Sequence, residues 1–122
     1  MKGITIRPIK LAHSDERRDI LEMFNGDFTA RQVKVLRVKK GNILGNHYHK
    51  YREIRYLLKG KIKYKFIDVN TKEEKEVIVE APKIVEIHPN IYHEVEALEE
   101  TLWVEPFDEE AMKDRWDYEW TV

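Results

Sequence analysis

The chain has 122 residues, no cysteine and a net charge of -1, although 37% of its residues are charged. This length suits one hydrophobic core, so we predict a single domain over residues 1–122. The missing cysteines exclude disulfides and thiolate metal sites, and the balanced charge excludes the basic surface that nucleic acids or anionic membranes attract. Because there is no long apolar run and no signal-like segment, we expect a cytoplasmic protein without a nucleic-acid or membrane partner.

The first 27 residues form a predicted N-terminal arm. Ile4–Ile6 alternates in polarity and precedes Pro8, which predicts a short edge strand. The segment Ser14–Gly26 fits either an amphipathic helix capped by Ser14 or a turn followed by a strand. The local pattern leaves both alternatives open.

Residues 28–106 form the predicted core of the domain, in which short alternating segments are separated by turn residues. Lys61–Phe66 alternates most clearly, with Tyr64 among the apolar positions and lysines on the other face. The segments predict strands at Arg31–Lys39, Glu53–Leu58, Lys61–Phe66, Val77–Val79, Lys83–Ile87, Tyr92–Ala97 and Leu102–Val104. Many short strands at close spacing indicate an all-β sandwich or small barrel.

The stretch Gly41–Gly60 carries most of the candidate chemistry. His47 and His49 are two residues apart, so on a strand their imidazoles lie on one face. Glu53 follows, and His93 occupies an inward position on a later strand. Neutral imidazoles with a carboxylate suit Zn, Fe, Mn or Ni. We therefore predict a divalent transition metal bound by these three histidines and Glu53.

The spacing of this stretch resembles the first signature of the cupin superfamily. That signature reads Gly, five residues, His, one residue, His, three residues, Glu, six residues and Gly, and it is matched by Gly41, His47, His49, Glu53 and Gly60. The second signature is matched by Pro89 and His93, with Asn90 where the pattern usually has Gly. The resemblance implies an all-β cupin jelly-roll barrel, a double-stranded β-helix, with a short C-terminal tail.

Within the superfamily, the chain resembles the small cupins of deoxysugar and capsular polysaccharide biosynthesis. Asp15, Arg17 and Leu21 look like a segment that begins many nucleotide-sugar cupins. This resemblance implies a nucleotide-linked sugar isomerase or epimerase, with or without a bound metal. It implies His49 and His93 as the acid and base, and Arg17 as a substrate-binding residue.

Three further side chains in or just after the ligand stretch are candidates for the site. Arg55 is predicted to face inward beside Glu53, where it either pairs with that carboxylate or binds an anionic group of the substrate. Tyr64 is either a general acid or a core residue. Tyr48, between the two histidines but on the opposite side of the strand, is a further substrate-binding candidate, and Tyr56 is predicted to face outward.

Two other functions remain open at this stage: a metal-dependent oxygenase with iron or manganese, and a sugar- or metabolite-binding protein without catalysis. His13 and His88 lie outside the cupin pattern and are predicted to be surface groups.

The predicted tail, residues 107–122, is acidic and aromatic. Asp108–Asp114 predicts a short helix, and the tryptophans beyond it are expected to pack on the barrel as a lid or a subunit contact. Exposed apolar groups in the N-terminal strand and the tail predict a homodimer.

Overall fold

The fold was analysed in a computed structural model, whose description covers residues 1–26 and 28–113. Within these residues the chain forms eleven strands and one short helix. In chain order they are β1 (Ile4–Arg7), β2 (Lys10–Ser14), β3 (Asp19–Glu22), β4 (Gln32–Val38), β5 (Ile43–His47), β6 (Glu53–Lys59), β7 (Lys61–Asp68), β8 (Glu74–Glu80), β9 (Lys83–Ile87), β10 (Ile91–Ala97), β11 (Thr101–Phe107) and α1 (Glu109–Lys113). Every strand predicted from alternation is present.

The strands build two antiparallel sheets and a separate hairpin. The five-stranded sheet has the order β1-β9-β6-β11-β4, and the four-stranded sheet has the order β5-β10-β7-β8. β1 lies at the edge of the larger sheet, as Pro8 predicts. The architecture is the all-β cupin jelly roll, which confirms the predicted fold class.

The main core lies between the two sheets and follows from strand alternation. In β7 the side chains of Ile62, Tyr64 and Phe66 are 0% exposed, while the lysines between them are partly exposed. In β10, His93 is buried together with Val95 on the same strand, as its inward position predicts. The interior of the barrel is therefore largely apolar along β7, and β10 places a histidine in it.

The N-terminal segment is a hairpin and not a helix. β2 and β3 pair with Ser14 opposite Asp19, so the turn-and-strand alternative is correct. The Asp15 carboxylate closes the turn because it accepts the backbone N–H of Arg17 at 2.8 Å and that of Arg18 at 3.1 Å. The helix alternative is wrong because these backbone groups are used in the turn and the hairpin.

The outer face of the five-stranded sheet is partly covered, which changes the environment of Tyr56. Its side chain points away from the barrel interior, as predicted, but it is only 2% exposed. It belongs to a second core cluster in which Met23, Phe24 and Phe28 pack against the sheet. The backbone N–H of Phe24 donates to the Tyr56 hydroxyl at 3.3 Å. On this strand, a side chain that points away from the barrel interior is therefore still buried, because the N-terminal segment covers it.

The C-terminal strand is longer than predicted, and the helix that follows is confirmed. β11 continues to Phe107, three residues beyond the predicted strand. α1 lies within the predicted helical segment, and the Asp108 carboxylate accepts the backbone N–H of Ala111 at 2.9 Å as an N-cap. The expected packing of Trp116 and Trp120 falls outside the described residues. None of the helices in the described ranges is long and apolar enough to cross a membrane.

Candidate functional site

A cavity of about 380 Å³ lies between the two sheets. Its walls are formed by β4, β6 and β11 of one sheet and by β5 and β10 of the other. All four predicted metal ligands line it, namely His47, His49, Glu53 and His93. Its volume lies within the range of small-molecule binding sites.

A β-bulge in β5 brings His47 opposite His93. The two residues are paired across β5 and β10, and the register shifts immediately beyond them, which leaves Asn46 as the extra residue. Asn46 has a φ of 64° and its side-chain oxygen accepts the Tyr92 hydroxyl at 2.5 Å. Gly45 has a φ of 107°, and a Cβ there would lie 2.6 Å from the carbonyl oxygen of His93. The Gly-Asn pair therefore permits the close approach that places both histidines in one cavity.

The three histidines form a compact cluster. The ring centroids of His47 and His49 are 4.5 Å apart, those of His47 and His93 are 4.8 Å apart, and those of His49 and His93 are 5.2 Å apart. Asn90 adopts the left-handed backbone expected of it, with a φ of 66°, and its N–H donates to the carbonyl of His49 at 2.9 Å. The two cupin signatures thus meet in space as their spacing predicts.

The Glu53 carboxylate lies directly against this cluster. Its Oε2 atom is 3.1 Å from His93 Nε2 and 3.4 Å from His49 Nε2, and its side chain is 4% exposed. Burial alone would raise the pKa of Glu53. The charges of His93 and Arg55, together with the close approach of the two histidine nitrogens, outweigh burial and hold its pKa well below the usual value. Glu53 is therefore a carboxylate that stabilises positive charge in the cluster.

The hydrogen bonds of His93 decide which of its nitrogens carries a proton. Its Nδ1 is 3.1 Å from the carbonyl oxygen of Ile91. Because a carbonyl can only accept, the proton is assigned to Nδ1. A neutral His93 would then point the Nε2 lone pair at the Glu53 carboxylate. A proton or a metal cation between the two atoms removes this repulsion.

The cluster fits the divalent metal that the resemblance implies. One ligand nitrogen from each of His47, His49 and His93 lies within 4.8 Å of the others. Neither His93 Nε2 nor Glu53 Oε2 has a well-aligned hydrogen-bond partner in the described part of the chain. Imidazole nitrogens beside a carboxylate oxygen are a donor set that Zn, Fe, Mn and Ni accept.

Arg55 is held in a buried network on the inner face of the five-stranded sheet. Its Nη2 donates to Glu53 at 2.7 Å, its Nε donates to Glu105 at 2.8 Å, and its Nη1 donates to the Tyr64 hydroxyl at 2.9 Å. The guanidinium also lies 4.5 Å from the ring centroid of Trp103. Of the two alternatives for Arg55, the structure has the pairing with Glu53, and the residue is largely unavailable to a substrate anion.

The other three predicted site residues do not line the cavity. Tyr64 faces the interior but lies beneath Arg55, and burial raises its pKa, so its position does not favour a general acid. Arg17 lies in the exposed turn of the N-terminal hairpin, 3.3 Å from Asp15. Tyr48 is half-buried, lies just beyond the end of β5 and is not part of the cavity lining. His13 is exposed, as predicted.

Two charged residues of the cavity wall, Glu105 and Lys34, were not predicted as site residues. Glu105 lies on β11, one alternation after Trp103, and burial raises its pKa to about 7 although Arg55 lowers it. Lys34 lies directly opposite it on β4. Alternation along β11 places Trp103, Glu105 and Phe107 on the inward face, and this pattern could have predicted Glu105 as a site residue.

Comparison with solved structures gives the same fold. A sugar 3,4-ketoisomerase from Thermoanaerobacterium thermosaccharolyticum, in complex with TDP, superposes with a TM-score of 0.74 at 18% identity, covering 90% of this chain and 86% of that chain. A 3'-monoepimerase from Streptomyces bikiniensis in complex with dTDP has a TM-score of 0.73 at 18% identity, covering 86% and 63%. The dTDP-4-dehydrorhamnose 3,5-epimerase from Sulfolobus tokodaii has a TM-score of 0.67 at 24% identity, covering 86% and 69%.

The sequence comparisons identify the family. No curated protein matches the chain. Residues 13–115 match the family described as "Polysaccharide biosynthesis C-terminal domain", and this range includes the histidine cluster, Glu53, Arg55 and Glu105. The chain has the cupin fold and belongs to the polysaccharide biosynthesis C-terminal domain family.

Proposed function

We propose that the chain is an isomerase or epimerase that moves a proton on the carbon next to the carbonyl of a nucleotide-linked sugar. The observation that carries this proposal is the position of the buried Glu53 carboxyl group, whose Oε2 atom lies within 3.4 Å of a ring nitrogen of both His49 and His93 in a cavity of about 380 Å³. The similar solved structures are described as a sugar 3,4-ketoisomerase, a 3'-monoepimerase and a 3,5-epimerase, and all share this fold.

The chemistry follows from the charge of Glu53. A neutral histidine that takes a proton from carbon becomes an imidazolium, and a carboxylate within 3.4 Å stabilises that state. The electron pair of the C–H bond forms a carbon–carbon double bond, and the π pair of the carbonyl moves to its oxygen, which gives an enediolate. Return of a proton to the former carbonyl carbon, with loss of the proton from the hydroxyl of the first carbon, isomerises the sugar. Return of a proton to the opposite face of the first carbon re-forms the original carbonyl and epimerises the sugar. We assign His49 and His93 as the acid and base.

A divalent metal held by His47, His49, His93 and Glu53 would supply a Lewis acid for the carbonyl oxygen. The same residues would have different roles in the two cases, because an imidazole nitrogen that holds a metal cannot also take a proton. His49 and His93 act as acid and base in the metal-free site and as ligands in the metal-bound one. Zn, Fe, Mn and Ni all suit these donors.

The test is proton exchange in D2O, followed by NMR, with TDP-4-keto-6-deoxyglucose as the substrate. The wild-type protein should incorporate deuterium next to the carbonyl. His93→Asn should slow this exchange by roughly 10²- to 10⁴-fold, because an acid–base group contributes that much. His88→Asn is the matched control, since His88 is exposed and outside the cavity. Absence of exchange with this substrate and with its 3-keto isomer would contradict the proposal.

An iron- or manganese-dependent oxygenase is the second candidate, and the cluster of three histidine nitrogens favours it. Such an enzyme should purify with the metal and consume dioxygen when a substrate is added. A protein that binds the sugar nucleotide tightly but gives neither exchange nor oxygen consumption would instead be a non-catalytic binding cupin.

A further inference from the structure

The mouth of the cavity carries a lysine that the proposed chemistry does not use. We propose that Lys34 binds an anionic group of the substrate, phosphate or carboxylate, and so determines which end of the substrate stays at the entrance. Lys34 lines the cavity wall from β4, yet its side chain is exposed, which places it at the opening. This inference rests on the proposed function in one respect: the proposed function identifies the remainder of the substrate as a nucleotide-linked sugar.

The charges of the cavity wall single out Lys34. Among the described residues, the cavity is lined by two permanently charged cations, Arg55 and Lys34. Arg55 is neutralised by Glu53 and Glu105. Lys34 forms no ion pair within the described residues, even though Glu105 lies opposite it in the sheet. The cation available to an incoming anion is therefore Lys34.

The neighbours of Lys34 suit a ring attached to an anion. Its ammonium nitrogen lies 4.8 Å from the ring centroid of Phe107, which holds the charge near the entrance. Tyr51 lies beside Phe107, with 6.4 Å between the ring centroids, and stacks on His49. An apolar aromatic surface therefore connects the lysine to the histidine cluster.

The distance across the sheet suits a sugar with an anionic substituent. β4, β11 and β6 are neighbours in that order, so the strand of Lys34 lies two strands from the strand that carries Glu53. At a spacing of about 4.8 Å, two strands correspond to roughly 10 Å. A sugar ring fits between a carbonyl at the histidines and a phosphate or carboxylate at Lys34. An ammonium group recognises either anion as a compact point charge.

The test is calorimetric titration of the full chain with three probes: TDP, thymidine and glucuronate. Lys34→Ala should weaken the binding of the anionic probe by about tenfold to a hundredfold, since a charged hydrogen bond contributes that much. Lys34→Arg should restore most of the affinity. Lys39→Ala is the matched control, because Lys39 is an exposed lysine just beyond β4 and outside the cavity. Raising the salt concentration should weaken wild-type binding more than Lys34→Ala binding.

The outcomes separate this inference from the proposed function. Loss of TDP affinity in Lys34→Ala, with thymidine binding weakly to both proteins, supports a phosphate site. Loss of glucuronate affinity alone, with no TDP binding, supports a carboxylate site at Lys34 and contradicts the nucleotide-linked substrate. Equal TDP affinity in the wild type and in Lys34→Ala overturns the inference and leaves the proposed function intact. A wild-type protein that binds neither anion also overturns it.

Discussion

Replacing Arg55 by methionine should destabilise the fold strongly, because it removes the cation from a buried cluster with two carboxylates. The Arg55 side chain is 7% exposed and donates to both Glu53 and Glu105. Methionine keeps the volume of the stem but leaves both carboxyl groups without their partner. Breaking a buried ion pair in this way costs about 3–5 kcal/mol. Folded domains are stable by about 5–15 kcal/mol, so the change is a large part of the total.

The loss should also depend on pH. Burial raises the pKa of Glu105 to about 7 even though Arg55 lowers it, and burial acts in the same direction on Glu53. Without Arg55 the folded-state pKa of each carboxyl rises, whereas the unfolded-state pKa does not change. When the pKa of a carboxyl group is higher in the folded state than in the unfolded state, the protein becomes less stable as the pH rises from the unfolded-state pKa to the folded-state pKa. The deficit of Arg55→Met should therefore be larger at pH 8 than at pH 5.

The assay is urea unfolding of wild type and variant at both pH values, with the shift in midpoint interpreted at an unchanged slope. Arg52→Met is the matched control. Arg52 also pairs with a carboxylate, Glu86 at 2.9 Å, but its side chain is 41% exposed. Because Arg52 is largely in solvent and Glu86 keeps Arg7 as a second partner at 2.8 Å, loss of the Arg52 pair should cost about 1 kcal/mol or less. If Arg55→Met cost no more than Arg52→Met, the reasoning about the buried network would be refuted.

Three further predictions concern the bulge, the metal and the oligomer. Gly45→Ala should lower the free energy of unfolding by about 2–4 kcal/mol in a urea melt, because its Cβ would meet the His93 carbonyl oxygen at 2.6 Å. Gly41→Ala, with open space around it, should lower the free energy of unfolding less. Equal losses of stability would rule out the clash. His47→Ala and His93→Ala should each lose bound metal by elemental analysis while keeping the wild-type circular dichroism, and unchanged metal in both would contradict the ligand assignment. In light scattering the wild type should have the mass of a dimer. Leu11→Lys should have the mass of a monomer, because Leu11 lies in the N-terminal hairpin and is 53% exposed. A monomer mass for the wild type at all concentrations would exclude the dimer.

Alternation along the chain was sufficient to predict the side of the sheet on which most site residues lie. The inward positions of β7 and β10 are buried, and His47 faces the cavity from the last position of β5. The reason is local: successive side chains of a strand point to opposite faces whatever the strand packs against. His49 also lines the cavity, but it lies beyond the end of β5, so the prediction that both histidines lie on one strand is wrong. The cupin spacing added that His93 would meet the first two histidines.

Local patterns could not determine the structure of the N-terminal arm. The segment Ser14–Gly26 fits a helix as well as a turn and strand, and pairing of β3 with β2 decides between them. The same arm covers Tyr56, which its own strand places on the outer face. Whether an outward residue meets solvent depends on which other segment folds over it, and that contact lies far away in sequence.

Alternation predicted an all-β fold, the cupin resemblance predicted the jelly roll and the histidine cluster, and the sequence placed an unusual arginine beside Glu53. The role of that arginine depends on the fold, because its second carboxylate partner, Glu105, is 50 residues away. Glu105 reaches Arg55 since β11 is the neighbour of β6. Lys34 lies on β4, the other neighbour of β11, and forms no ion pair within the described residues. The order of strands in a sheet sets which buried charges neutralise each other, and no local pattern contains that order.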